Sequence, residues 1–452
     1  MQTEPIIGKH DSLKKESIIK LLWVFVGPAV LGLLINIFYN VVDRIFVGHF
    51  VGADGLSAVT MVFPIALFKF SFVLLLGSGA GVLIAKYLGE NRQDKAEEVL
   101  GNMMAGLTVV SAVFTLLGLL FHKEILQLLG AEGQLLQQSA AYLFVIVLGF
   151  PLSFFIALEF TCRAEGNPRL PAKLILLSAI INICLDYVFM KVMDMGVKGA
   201  ALATIIAQGT NALLLINYYL NGKSLVKLQW KQIRLKKEVI LPILSVGFSP
   251  FLMDGAVSFQ NAFANNLLLQ TGGTDAVAAM GIIFGINVFF MMTALGTGDG
   301  MQPIVSFNFG AKLYDRAAKT LIYVLVFVLS VALFGILILE LFPNAIINIF
   351  INGNENIRSI THTALNIFVW SIPFYMTQVV IARYFQALQK NTIATFLAIL
   401  RPIFLFIPIS FVLSDWYGFK GIWTAFIASD ALAALFAVLL VKKYNLKGLQ
   451  NE

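Results

Sequence analysis

Gly52-Ala53-Asp54-Gly55-Leu56-Ser57-Ala58-Val59 follows the first long apolar run of the chain and returns further on as Gly273-Thr274-Asp275-Ala276-Val277-Ala278-Ala279-Met280. Working outward, the echo continues. Gly77-Ser78-Gly79-Ala80-Gly81 reads like Gly296-Thr297-Gly298-Asp299-Gly300, Asp94-Lys95-Ala96 like Asp315-Arg316-Ala317, and Pro151 maps to Pro373. Gly196-Val197-Lys198-Gly199-Ala200-Ala201 maps to Gly418-Phe419-Lys420-Gly421-Ile422-Trp423. Residues 242–442 thus repeat residues 20–220 at an offset of about 222. Two similar halves filling a membrane chain are a transporter pattern, because halves that rock about a shared cleft give alternating access.

The membrane reading comes from composition. Hydrophobic residues make up 59% of the chain, charged residues only 13%, and mean hydropathy is +0.85, so water cannot be its only solvent. Apolar stretches long enough to cross about 30 Å of hydrocarbon as a helix recur twelve times. They are predicted near 18–43, 56–84, 98–121, 135–160, 170–193, 199–220, 239–268, 276–304, 318–342, 359–384, 392–413 and 420–441. The expected fold is an all-α integral membrane protein of twelve transmembrane helices in two parallel six-helix repeats. Its expected domains are an N-terminal lobe at 1–220, a basic linker at 221–237 and a C-terminal lobe at 238–452.

Basic residues orient the chain, since loops rich in Lys and Arg stay cytoplasmic. Lys9, Lys14, Lys15 and Lys20 precede the first span, Lys86, Arg92 and Lys95 follow the second, and Arg163, Arg169 and Lys173 follow the fourth. The central loop is the richest, with Lys223, Lys227, Lys231, Arg234, Lys236 and Lys237. Alternate loops carry few. Both termini and the linker are expected inside, in a multi-pass protein of the cytoplasmic membrane. The net charge of +7 is then a topology signal rather than a nucleic-acid surface. No cleavable signal peptide is evident. Cys162 and Cys184 make no disulfide or metal framework, and His10, His49, His122 and His362 are scattered near loops or span ends. No cofactor is expected, and the protein is expected to act as a monomer.

Acids inside spans need a reason, since insertion at a span centre costs about 2.5–3.5 kcal/mol. Asn182 and Asp186, four residues apart, share one face of the fifth span. Counting from Leu170 at about 1.5 Å per residue puts Asp186 roughly 24 Å along that span, in its outer half. Asp43 near the outer end of the first span and Thr204 in the sixth reach a similar level. Two carboxylates, an amide oxygen and a hydroxyl at one depth suit Na⁺ or a held proton. The plainer alternatives are an Asp43–Arg44 interfacial ion pair, a structural hydrogen-bonded acid at Asp186, and interhelical hydrogen bonds from Asn182 and Thr204. Glu159, before the turn Arg163-Ala164-Glu165-Gly166-Asn167, is either a substrate or proton group or a snorkelling acid. In the second half Asp254, Asp299, Arg401 and Asp430 are substrate or cleft candidates or structural pairs. Asp299, between two glycines, suggests a broken helix lining a cavity, while Arg401 suits neutralising one of these acids. Lys69 is a lone base in the second span. Met253, Met280, Met291, Met292 and Met301 fit either a pliant binding wall or plain packing.

The whole pattern resembles the multidrug and toxic compound extrusion (MATE) family, within the wider multidrug, oligosaccharidyl-lipid and polysaccharide (MOP) exporter group. The resemblance runs from about Ile18 to Tyr444. Its most specific parts are Asn40-Val41-Val42-Asp43-Arg44-Ile45-Phe46-Val47-Gly48, the pair Asn182 and Asp186, the Gly196–Ala201 stretch, and Gln302-Pro303. It implies a cation site for H⁺ or Na⁺ in the N-terminal lobe at Asp43, Asn182, Asp186 and Thr204. It also implies an export role for Glu159. One branch of the family places its ion in the C-terminal lobe through acids of the seventh and tenth spans. Here Asp254 stands in span seven, but span ten has no acid between Thr361 and Arg383, so the N-terminal site is the one implied.

The expected function is a multidrug efflux antiporter that exports amphipathic organic cations in exchange for H⁺ or Na⁺, a xenobiotic transport associated with antibiotic resistance. A lipid-linked oligosaccharide flippase of the same superfamily is the rival; it would show more basic residues in the cleft, where only Lys69 and Arg401 fit. An intramembrane enzyme would need a converging nucleophile and base or a metal cluster, and no histidine lies near the middle of a span.

Overall fold

A computed structural model describes residues 13–351 and 355–444, so Lys9 and His10 lie outside the described residues. Every element among the described residues is helical. Eleven helices are long and apolar enough to cross a bilayer. One of them, Lys237–Gly310, has 74 residues, which at 1.5 Å each is about 110 Å, several times the hydrocarbon thickness. It is parted at Gly273, whose φ of 68° only glycine adopts freely, and so forms two spans. The protein is therefore a multi-pass membrane protein of twelve spans.

In order these are Ile18–Phe50, Ala53–Gly89, Gln93–Leu128, Gly133–Ala164, Arg169–Val192 and Gly196–Leu220, then 237–272 and 274–310, then Tyr314–Leu341, Glu355–Ala387, Asn391–Tyr417 and Phe419–Lys443. Most run several residues past the apolar segments, because a helix continues through its polar ends until the backbone turns. The second span, predicted to begin near 56, is already helix from Ala53. Span 4 changes character after Pro151. With no N–H to give at that residue, the chain tightens into a 3-10 turn at Phe154–Ala157 before resuming as helix over Leu158–Ala164.

The repeat is written in the backbone as well as in the sequence. Left-handed residues recur in pairs: Gly52 with Gly273, Asn91 with Lys312, and Gly196 with Gly418. The first two pairs bracket spans 2 and 8 at a constant offset of 221. That corrects the glycine alignment: Gly77 corresponds to Gly298 and Gly79 to Gly300, two residues on from the match of glycine to glycine in sequence. The contacts agree. A methyl on Gly77 would meet Ala157 and Phe160 of span 4, and one on Gly298 would meet Arg383 of span 10. A methyl on Gly79 would strike the backbone of span 7 at Ile243, and one on Gly300 the backbone of span 1 at Phe25 and Val26.

Chain contacts divide the molecule into two compact units that exchange short segments. One holds residues 31–247 and the other 17–30 with the chain from Phe248 onward. Span 1 therefore begins in the second unit and ends in the first, and span 7 does the reverse. The glycines of spans 2 and 8 are what let these visiting segments lie backbone to backbone against their hosts. Each host span carries its close-approach residue at the same repeat position.

Candidate cation site

In the first unit, span 5 buries Pro171, Ile175, Ala179, Asn182 and Asp186, a stripe at helical spacing. Its apolar face ends in two polar residues. Asp186 has no exposed surface, Asn182 has 1% and Asp43 8%. The carboxyl groups of Asp43 and Asp186 lie within hydrogen-bonding reach of each other. Two ionised carboxylates can only accept, so they cannot satisfy each other, and Asp43 Oδ1 and both Asp186 oxygens are buried without a hydrogen-bond partner, as are both polar atoms of the Asn182 amide. Such a cluster is stable only if a shared proton or a cation neutralises it.

The Asp43–Arg44 ion pair does not form. The Arg44 guanidinium lies over the Phe63 ring at 5.0 Å, and no ion pair joins it to Asp43 among the described residues. Thr204 is half-buried and donates its hydroxyl to the Ala200 carbonyl one turn back at 3.0 Å, which leaves its lone pairs to accept or coordinate. Two tyrosines complete the neighbourhood. Tyr142 of span 4 is buried within electrostatic reach of Asp43, Asp186 and Tyr39, while Tyr39 sits among Asn40, Asp43, Gln208 and Glu159. Neither is visible as a site residue in sequence, since a lone tyrosine in an apolar span has no distinguishing spacing.

Glu159 lies just past the 3-10 turn of span 4. It accepts from Asn211 of span 6 at 2.9 Å and pairs with Arg163 at 3.3 Å. It is held within the bundle rather than snorkelling. Lys69 is buried between the rings of Phe150 and Phe154, at 5.8 and 5.5 Å, and donates to Gln208 Oε1 at 3.4 Å. Met253, Met280 and Met301 are buried among core residues, the packing alternative. Among the described residues no group of histidine, cysteine and acids is arranged to hold a metal ion, and neither Cys162 nor Cys184 is in a disulfide.

The second unit treats its charges differently. Asp299 pairs with Arg383 at 3.5 Å, and Arg383 also donates to Gln386, which accepts from Gln302 at 2.6 Å. Asp254 stands near both charged partners. The helix around Asp299 is unbroken, contrary to expectation. Its glycines serve close packing rather than a break, so no free backbone groups are exposed there. Arg401 pairs with Asp430 at 3.4 Å and lies over the Tyr375 ring at 5.7 Å. Arg383 was not singled out in sequence, because its distance in the chain from Asp299 hides the pairing.

Comparison with known proteins gives a consistent picture. A protein-family model described as MatE matches residues 28–188 and, separately, 256–412, one match in each repeat. The multidrug export protein MepA of Staphylococcus saprophyticus is 28% identical over 435 residues, which is 95% of this chain and 94% of that protein. In structure, the chain is similar to a crystal structure of MATE in complex with MaL6 at a TM-score of 0.92, with 19% identity and 100% of both chains covered. It is likewise similar to a mutant of the Vibrio cholerae MATE transporter VcmN, at 0.88 and 22% identity over 97% of this chain and 99% of that one.

Proposed function

We propose that this chain, which belongs to the MatE family, is a multidrug efflux antiporter that exports amphipathic organic cations against H⁺ or Na⁺. It is a transporter rather than an enzyme. The export of drugs follows from its likeness to the MepA proteins over nearly its whole length. The coupling reading rests on one observation, the facing pair Asp43 and Asp186 with Asn182 unpartnered beside them on the same helix face.

Asp43 belongs to span 1 and Asp186 to span 5. With a cation between them the two carboxylates are drawn together, and without one they repel, so binding favours one placement of span 1 over another. Only such a differential affinity can drive a conformational change. Span 1 is also the helix that begins in the second unit and ends in the first, changing units between Val30 and Leu31, close to Pro28. Movement at Asp43 is thus passed along a single helix shared by both repeats, which suits their rocking between inward and outward access. Glu159, tied to Arg163 and Asn211, is the acid offered to a cationic substrate. The termini and linker lie on the cytoplasmic side in this reading, in a monomer of the cytoplasmic membrane.

The test is ethidium export from proteoliposomes with an imposed proton or sodium gradient. Wild-type protein should concentrate the dye only when a gradient is present. Asp186→Asn should remove that dependence while dye binding persists. Full gradient-driven export by Asp186→Asn would overturn the assignment.

A further inference from the structure

The loop joining the repeats, residues 221–237, is pinned to the first unit along its whole length. Glu165 accepts from the backbone N–H groups of Leu225 and Val226 at 3.0 and 3.1 Å, and Gln93 donates to the Leu225 carbonyl at 2.9 Å. Glu97 accepts from the Lys227 N–H at 3.4 Å and from the Gln229 amide. Asn102 accepts from the Lys236 N–H at 2.7 Å, and Glu98 takes the Lys236 ammonium together with that of Lys95. Gly101 leaves no room for a side chain beneath Gln232, so the loop lies flush on the first turns of span 3.

These acids therefore hold the loop mainly by its backbone, and most of its basic side chains stay outside the grip. Lys223, Lys227, Lys231, Arg234 and Lys237 are all exposed and form no ion pair among the described residues. The loop contains no acid of its own. Among these cations stand two large apolar side chains, Trp230 at 77% exposure and Leu235 at 52%. The loop follows span 6 directly and leads directly into span 7, so both its ends are held at the membrane surface.

We propose that this pinned loop is a docking face for the headgroups of anionic phospholipids in the leaflet on its side. Trp230 and Leu235 enter the interface, where an indole finds both an apolar and a polar neighbour, and the five free cations hold the phosphates. A flexible tether would lose entropy on binding such a surface; this one is already ordered by Glu97, Glu98, Asn102 and Glu165. A protein or nucleic-acid partner would have to reach a face that the two flanking spans hold against the bilayer.

The experiment places the full chain in vesicles of phosphatidylcholine containing either phosphatidylglycerol or phosphatidylcholine with a nitroxide near the glycerol end of one acyl chain. Emission lost in Trp230→Phe isolates Trp230 from the other four tryptophans of the five. That component should be quenched by the anionic probe lipid roughly threefold more than by the neutral one, and replacing all five cations by Gln should bring the ratio to about one. The other tryptophans and the thermal transition of the variant should be unchanged. Equal quenching by both lipids in the wild type would overturn the proposal. So would a ratio that survives removal of the five cations, or a Trp230 quenched by aqueous iodide and by neither lipid. None of these readouts involves transport, so they stand apart from the antiport reading.

Discussion

Where the first repeat carries a cluster of unpartnered polar atoms at Asp43, Asn182 and Asp186, and Thr204 in span 6, the second carries Phe426, the repeat equivalent of Thr204, at the centre of an aromatic cluster. Phe426 meets Phe406 at 4.4 Å, Phe368 at 5.6 Å, Trp423 at 6.0 Å and Phe284 at 6.1 Å. At the same offset of 222 Asp43 becomes Asn265, Asp186 becomes Pro408 and Tyr142 becomes Ala364. The duplicated scaffold keeps its turns, its left-handed residues and its close-packed glycines. What differs is whether the space within the bundle is filled by rings or left to polar groups that need a guest. A filled core has one state, whereas a polar core that must be neutralised from outside has two, and under the proposed antiport this asymmetry would put coupling in the first repeat.

The largest effect that would break this comparison is symmetric loss of function. Asp43→Asn should reduce gradient-driven export on the order of a hundredfold, to background, since about 2.7 kcal/mol of differential binding is all that such a factor requires. Asp254→Asn in the second repeat should leave export within about twofold, because its neighbours Arg383 and Asp299 already form a closed pair. Initial rates in the same vesicles decide it, and equal losses would mean that both repeats couple.

Second comes the way the second repeat balances its buried charges. Arg401→Met leaves Asp430, 1% exposed, without its cation and should cost about 3–5 kcal/mol of stability. The double change Arg401→Met with Asp430→Leu should recover most of that. Thermal unfolding of the detergent-solubilised protein measures both, and a double variant as unstable as the single would show that the pair does more than cancel charge.

The sequence carried the repeat, the twelve spans and the placement of Asn182 and Asp186 on one face, because each follows from local periodicity. It did not carry the Asp299–Arg383 pair or the closeness of Tyr142 to the two acids, since these depend on which spans become neighbours. Matching Gly77 to Gly296 maximised identity, but a glycine's equivalent is the residue with the same neighbour, and Gly298 is the one facing span 10. Pattern reports which residues are small; packing reports what approaches them.

Third is the aromatic cluster itself. Phe426→Ala removes a phenyl ring of about 100 Å³, and at about 24 cal/mol per Å³ the cavity costs about 2 kcal/mol. The transfer part of the usual penalty is small here because lipid is as apolar as the core. A lowered thermal midpoint with unchanged gradient-driven export is the expected result. Loss of coupling without loss of stability would place part of the mechanism in the second repeat.

The smallest effect discriminates best between the two coupling ions. Thr204→Val keeps the shape of the side chain and removes one oxygen. A proton shared by Asp43 and Asp186 needs no further ligand, so a proton-driven carrier should lose less than about twofold in export rate. A sodium ion must replace a shell of water oxygens, and two carboxylates with the Asn182 amide leave it short, so loss of the Thr204 oxygen should weaken a sodium-driven carrier by roughly tenfold. Because Thr204 donates its proton to the Ala200 carbonyl at 3.0 Å, its oxygen keeps its lone pairs for accepting or coordinating, which a metal ligand requires and a shared proton does not. Rates measured under separate proton and sodium gradients, with Thr204→Ser as the variant that restores the oxygen, therefore report which ion the polar core of the first repeat is built to hold.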